Sequence, residues 1–119
     1  MKNKIISLLV IIFSILSFHI QTKENNWKHA QDGDKIIMIR HALAPGSGDP
    51  KGFKIDDCTT QRNLDEAGIS QSKKIGELFK EKKIKIDRVL SSQWCRCKDT
   101  ARYAFKNYKV FSALNSTFS

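Results

Sequence analysis

Residues that break or cross-link a chain are few here. Two prolines and six glycines among 119 residues exclude a collagen-like or low-complexity chain. No segment recurs at a fixed period, so a solenoid is excluded too. Three cysteines are too few for a disulfide-knot miniprotein. The histidines are His19, His29 and His41, and no His–Cys spacing assembles the roughly four ligands a zinc ion needs, so no metal is expected. Acidic residues are scarce, with 12 Asp and Glu against 21 Lys and Arg and a net charge of +9. That surplus is mostly lysine and reads as a solvated face, or as weak attraction to anionic lipid or substrate. Aromatic residues are not interleaved with it in any recognisable module, so nucleic acid is not an expected partner. The length suits one small domain and excludes a multidomain enzyme. A hydrophobic content of 40% with seven Phe argues against disorder.

The only long apolar run lies at the start. Lys2 and Lys4 precede residues 5–18, which carry no charge. Fourteen residues suit a secretory signal better than a membrane span, which needs about 20. Their apolar character covers every face, which a surface helix of a small domain would not tolerate. No small-x-small cleavage site follows, so residues 1–20 read either as a signal peptide or as an uncleaved signal anchor. Residues 21–26 are a polar linker, and 27–119 form the domain. Export, whether to a periplasm, to the outside or to a membrane-anchored position, implies an oxidising compartment. Cys95 and Cys97 would diverge on a helix, so the expected disulfide joins Cys58 to Cys95 or to Cys97.

Within the domain, 27–31 suits a short helix stopped by Asp32-Gly33-Asp34. Ile36-Ile37-Met38-Ile39, bounded by turn residues and a Pro/Gly loop, reads as a strand buried on both faces. Arg40-His41 would then stand at its C-terminal end. The loop from Ala44 to about Asn63 holds Phe53, Ile55 and Cys58 and should be packed down; loops of that length in small domains are usually functional. Its Pro45–Gly52 stretch is not a P-loop, because no Gly-Lys-Ser/Thr closes it. Asp65 suits the N-cap of a helix whose inner face carries Leu64, Gly68, Ile75, Leu78, Phe79 and Lys82. Residues 84–92 read as a second strand centred on Ile86 to Leu90. Ser92 is the expected cap of a second helix with Trp94, Cys97, Ala101, Ala104, Phe105 and Tyr108 on one face. Lys109-Val110-Phe111 opens a third strand. Strand, helix, strand, helix, strand is an α/β order, with a mostly parallel sheet and ligands beyond the strands' C-terminal ends.

Two strand ends, Arg40-His41 and Ser91-Ser92, lead into basic residues. Arg62 lies just before the first helix and Arg96 in the first turn of the second. Three guanidinium groups, one imidazole and two helix N-termini could thus face one crevice, which is the composition of an oxyanion site. As separate residues each suits an ordinary surface position equally well. His19 and His29, in the leader and beside the linker, carry no such context.

Taken together, Ile36–Ala42 with its Arg40-His41-Ala42, Gln61–Gly68 with Gln71, and Val89–Ala101 with its Ser-Ser-x-x-x-Arg-x-x-x-Thr-Ala resemble the histidine phosphatase superfamily, the phosphoglycerate mutase-like fold. The resemblance covers about Trp27 to Phe111. It implies a three-layer sandwich with a mostly parallel sheet. It also implies His41 as nucleophile forming a phosphohistidine, Arg40 and Arg96 clamping the phosphoryl oxygens, and Arg62 touching substrate at the rim. No metal or cofactor is needed, and the substrate would be a phosphorylated small molecule or a phosphoprotein. The family's second histidine has no counterpart here, and its general acid would fall near or past Ser119; Asp56 and Asp57 are the loop carboxylates at hand. The resemblance therefore implies an N-terminal portion lacking the C-terminal strands, with an open sheet edge and weak or no activity. Two other readings stand beside it: a non-catalytic, membrane-anchored phosphate-binding module, and a basic α/β domain at a membrane surface with no phosphate site.

Overall fold

The structure is a computed structural model and describes residues 27–116. The expected leader and the whole of the expected linker, residues 1–26, lie outside the described residues. Among the described residues no helix is long and apolar enough to cross a membrane. The chain divides into two compact units, Met1–Ile37 and Met38–Ser119. In the first, residues 27–31 are helical, and Lys28 reaches Asp32 one turn on at 3.1 Å.

The second unit is α/β. Helix α1 (Glu66–Glu81) begins where the sequence predicts, with the Asp65 side chain accepting from the Gly68 N–H at 2.8 Å. That bond satisfies one of the four N–H groups that a helix start leaves without a partner. Its buried residues are small: Gly68, Ser72 and Gly76, one turn apart. They let backbones approach. A Cβ on Gly68 would collide with the Leu43 carbonyl, and one on Gly76 with the Ala104 carbonyl. Ile75, Leu78 and Phe79, expected to form the inner face, are half-buried beside this stripe.

Strand β1 (Leu90–Ser91) precedes helix α2 (Cys95–Phe105), and β2 (Lys109–Val110) follows it. The two strands pair in parallel, Leu90 with Lys109 and Ser91 with Val110. Helix α2 packs against α1, where Phe79 and Phe105 meet edge to face at 5.2 Å.

Several expectations need correction. Residues 36–39 form no ladder and are not buried: Ile36 is 92% exposed and Met38 84%. A strand buried on both faces requires neighbours for its backbone and its side chains, and among the described residues β1 and β2 pair only with each other. The second strand is confined to Leu90–Ser91. Ser92 does not cap α2: the N-cap is Trp94, which makes no side-chain capping bond. The Cys95 N–H instead donates to Oε1 of Gln61 at 2.9 Å, so the cap comes from the distant loop. Of the face expected on α2, Trp94 and Ala101 are buried and Cys97, Ala104, Phe105 and Tyr108 half-buried, while Cys95, Arg96 and Thr100 are buried beside them.

Candidate functional site

The site is built from the segment after Arg40, the loop from Ala44 to Asn63 and the start of α2. Ala42 is buried. Its N–H donates to Thr100 Oγ1 at 2.9 Å, and that hydroxyl donates to the Arg96 carbonyl at 2.7 Å. The Leu43 N–H donates to Gln71 Oε1 at 2.8 Å. The backbone beside His41 is therefore pinned to both helices.

His41 Nδ1 lies 2.7 Å from the Ala42 carbonyl. A carbonyl oxygen only accepts, so Nδ1 carries the proton and Nε2 keeps the lone pair in the neutral ring. Burial lowers the His41 pKa from 6.5. The Ala42 hydrogen bond works against this, and the charges of Arg96, Arg62 and Arg40 add to the lowering. The ring is thus held neutral near pH 7, with a free nitrogen facing a cationic surrounding.

Arg96 is buried, and its guanidinium lies 4.8 Å from the Trp94 ring centroid. Trp94 in turn packs on Phe53 of the loop at 4.7 Å. Arg96 Nη1 donates to both oxygens of Asp49, at 2.8 and 3.0 Å. The same Asp49 Oδ1 accepts from the Arg62 N–H at 2.9 Å. Burial alone would push the Asp49 carboxyl up; the Arg96 hydrogen bond, the Arg62 N–H and both arginine charges outweigh it and hold the carboxyl below its ordinary range. Four buried side-chain atoms find no hydrogen-bond partner among the described residues: Asn63 Oδ1, Ser92 Oγ, Trp94 Nε1 and Arg96 Nε.

Arg62 holds the loop more than it faces outward. Its Nε donates to the Gly48 carbonyl at 2.8 Å and its Nη1 to the Ala44 carbonyl. Arg40 is exposed and reaches the site through its charge on His41. The loop is also tied covalently, since the structure joins Cys58 to Cys95 and leaves Cys97 as a thiol. Gln61 Nε2 donates to the Lys54 and Ile55 carbonyls at 2.8 and 2.9 Å, so one buried glutamine closes the loop and caps α2. Asp57 is occupied in capping the 3-10 turn Cys58–Thr60 through the Thr59 N–H and hydroxyl, and Asp56 is exposed. The carboxylate at the site is Asp49, which sequence reasoning passed over. An acid in a Gly-Asp-Pro turn shortly after a strand-end Arg-His was the available signal. Among the described residues no group of three or more His, Cys, Asp or Glu is placed to hold a metal ion.

A search of curated proteins gave no match. One solved structure similar to this chain is that of SixA from Agrobacterium tumefaciens, a proposed phosphohistidine phosphatase. It is 29% identical with a TM-score of 0.45, and the match covers 61% of this chain and 46% of that one. The matched region thus spans less than half the length of that relative. The family model of the histidine phosphatase superfamily (branch 1) matches residues 36–114, which include His41, Arg62 and Arg96. The chain belongs to the histidine phosphatase superfamily.

Proposed function

We propose that this chain is an exported phosphohydrolase acting through a phosphohistidine on His41. The observation that carries the reading is the Nδ1–H bond to the Ala42 carbonyl, which leaves Nε2 as a neutral nucleophile among three arginines. Nε2 attacks phosphorus, the bond to the leaving oxygen breaks, and Arg96 and Arg40 stabilise the charge on the phosphoryl oxygens. Water then attacks the phosphohistidine, releasing inorganic phosphate and restoring the neutral ring. The substrate is a phosphorylated small molecule or a phosphoprotein; Arg62, expected at the rim, acts on the site through its charge while its Nε and Nη1 hold the loop. Export is supported by the apolar run 5–18 and by the Cys58–Cys95 disulfide, since disulfides persist in oxidising compartments. Exposed Leu90 and Val110 support a layered sheet with more cover than the two described strands have among the described residues.

The test is to trap an acid-labile, base-stable phosphoryl group on the protein, with His41→Ala as control. Label on wild type that is lost in His41→Ala is expected. Phosphate binding without any label would instead favour a non-catalytic phosphate-binding module. Where turnover is measurable, it should fall as pH drops through the depressed His41 pKa, below 6.5, because protonated Nε2 cannot attack. Arg40→Gln removes one positive neighbour, raises that pKa and moves the acid limb to higher pH. An acid limb that stays in place would remove Arg40 from the site.

A further inference from the structure

We propose that Asp49 is a displaceable internal anion. Its carboxylate holds Arg96 in the place a phosphoryl group takes, so phosphate binding and release of the Asp49 loop are one event. The inference rests on the reading of Arg96 as a phosphate clamp and adds a residue that controls it.

Three observations carry it. First, the ion pair is buried, with side chains 10% and 7% exposed, and it uses the guanidinium poorly. Both Asp49 oxygens converge on Nη1, where the strong arrangement is two parallel bonds to two nitrogens. Second, Arg96 Nε is buried and has no acceptor among the described residues. Leaving such a donor unmade is costly, and a phosphoryl group entering on the fork would satisfy it. Third, the turn that presents Asp49 is built on Gly46 and Gly48, with φ of +85° and +67°, residues whose backbone can be re-set without a side-chain clash, so the carboxylate can turn away while the rest of the loop stays tied.

A phosphate dianion and a carboxylate on one guanidinium repel each other. Asp49 therefore leaves when phosphate arrives, and its bond from the Arg62 N–H breaks with it. Until then it neutralises Arg96 and excludes weaker anions, so ligands must outcompete an ionised carboxylate to enter.

The experiment is a titration of the 119-residue chain with inorganic phosphate, by calorimetry, for wild type, Asp49→Asn and Arg96→Ala. Asparagine keeps the shape and an acceptor for the Arg62 N–H but removes the charge. The expected result is phosphate binding about tenfold tighter in Asp49→Asn and lost in Arg96→Ala. Equal or weaker binding in Asp49→Asn would overturn the proposal by making Asp49 a positioning residue for Arg96, while the clamp itself stands. Binding that survives in Arg96→Ala would sink the clamp and the internal anion together. Hydrogen exchange on wild type needs no variant to fold: the Arg62 amide should lose protection when phosphate saturates the site. Unchanged or increased protection would mean that Asp49 stays in place and the proposal is wrong.

Discussion

The most apolar stretch of the domain is exposed, and the stretch most like a loop is pinned in place. Residues 36–39 are four consecutive aliphatic side chains, yet Ile36 is 92% and Met38 84% exposed. The segment from Ala44 to Asn63 holds the chain's two prolines and many polar residues, yet it is tied by a disulfide, a buried ion pair and hydrogen bonds from Arg62, Gln61 and Asn63. The difference lies in where the partners come from. The loop finds its partners within itself and at the start of α2, while a strand's stabilisation must be supplied by neighbouring strands and covering helices. A cluster of this kind can therefore stay organised while the sheet beside it has two described strands.

The largest test of that contrast removes the covalent tie. Cys58 and Cys95 are 37 residues apart, and closing a loop of that length restricts the unfolded chain by about 4 kcal/mol. Cys58→Ser with Cys95→Ser, or reduction of the wild type, should lower stability by roughly that amount in urea unfolding. A loss under about 1 kcal/mol would mean that the hydrogen bonds alone hold the loop.

A smaller effect is expected at Thr100. Its hydroxyl joins the Ala42 N–H to the Arg96 carbonyl, linking the backbone beside His41 to helix α2. Thr100→Val keeps the shape and leaves a buried donor without a partner, at a cost of about 1–3 kcal/mol. A neutral result would show that the His41 segment is held from α1 alone, through Gln71. Acid adds a further check on the same segment. Because the folded His41 pKa lies below 6.5, the unfolded chain binds the proton more readily, so this residue's contribution to stability is lost as pH falls below 6.5.

What could be read from the sequence follows the same division. Helix α1 was legible because its periodicity and its Asp65 cap lie within a few residues of each other. Arg40-His41 and Arg96 early in α2 were legible as members of one candidate site, because residue type and spacing carry that signal, and the structure sets the charge of both arginines on the His41 ring. The Asp49–Arg96 pair was not, since it joins positions 47 apart, and neither was the Gln61 cap on Cys95, 34 apart. Ser92 looked like a cap because serine usually is one at a helix start; here the helix begins at Cys95 and the Ser92 hydroxyl is buried without a partner. The run at 36–39 was misread because an apolar pattern reports what a segment would bury, not whether anything is there to cover it.

That run also offers the smallest expected effect. Met38→Lys places a charge where a covered strand would refuse it. With the side chain exposed, the change should shift unfolding stability by no more than about 0.5 kcal/mol. In a strand buried on both faces, the same lysine would lose apolar packing worth about 2–5 kcal/mol and add an unpaired charge. The midpoint of a urea titration separates the two, and repeating it over a hundredfold range of protein concentration shows whether the exposed aliphatics are covered by a second copy. A small, concentration-independent shift leaves the comparison as described. A large one would mean that residues 36–39 are buried in solution, and that the sheet, not only the loop, supports His41.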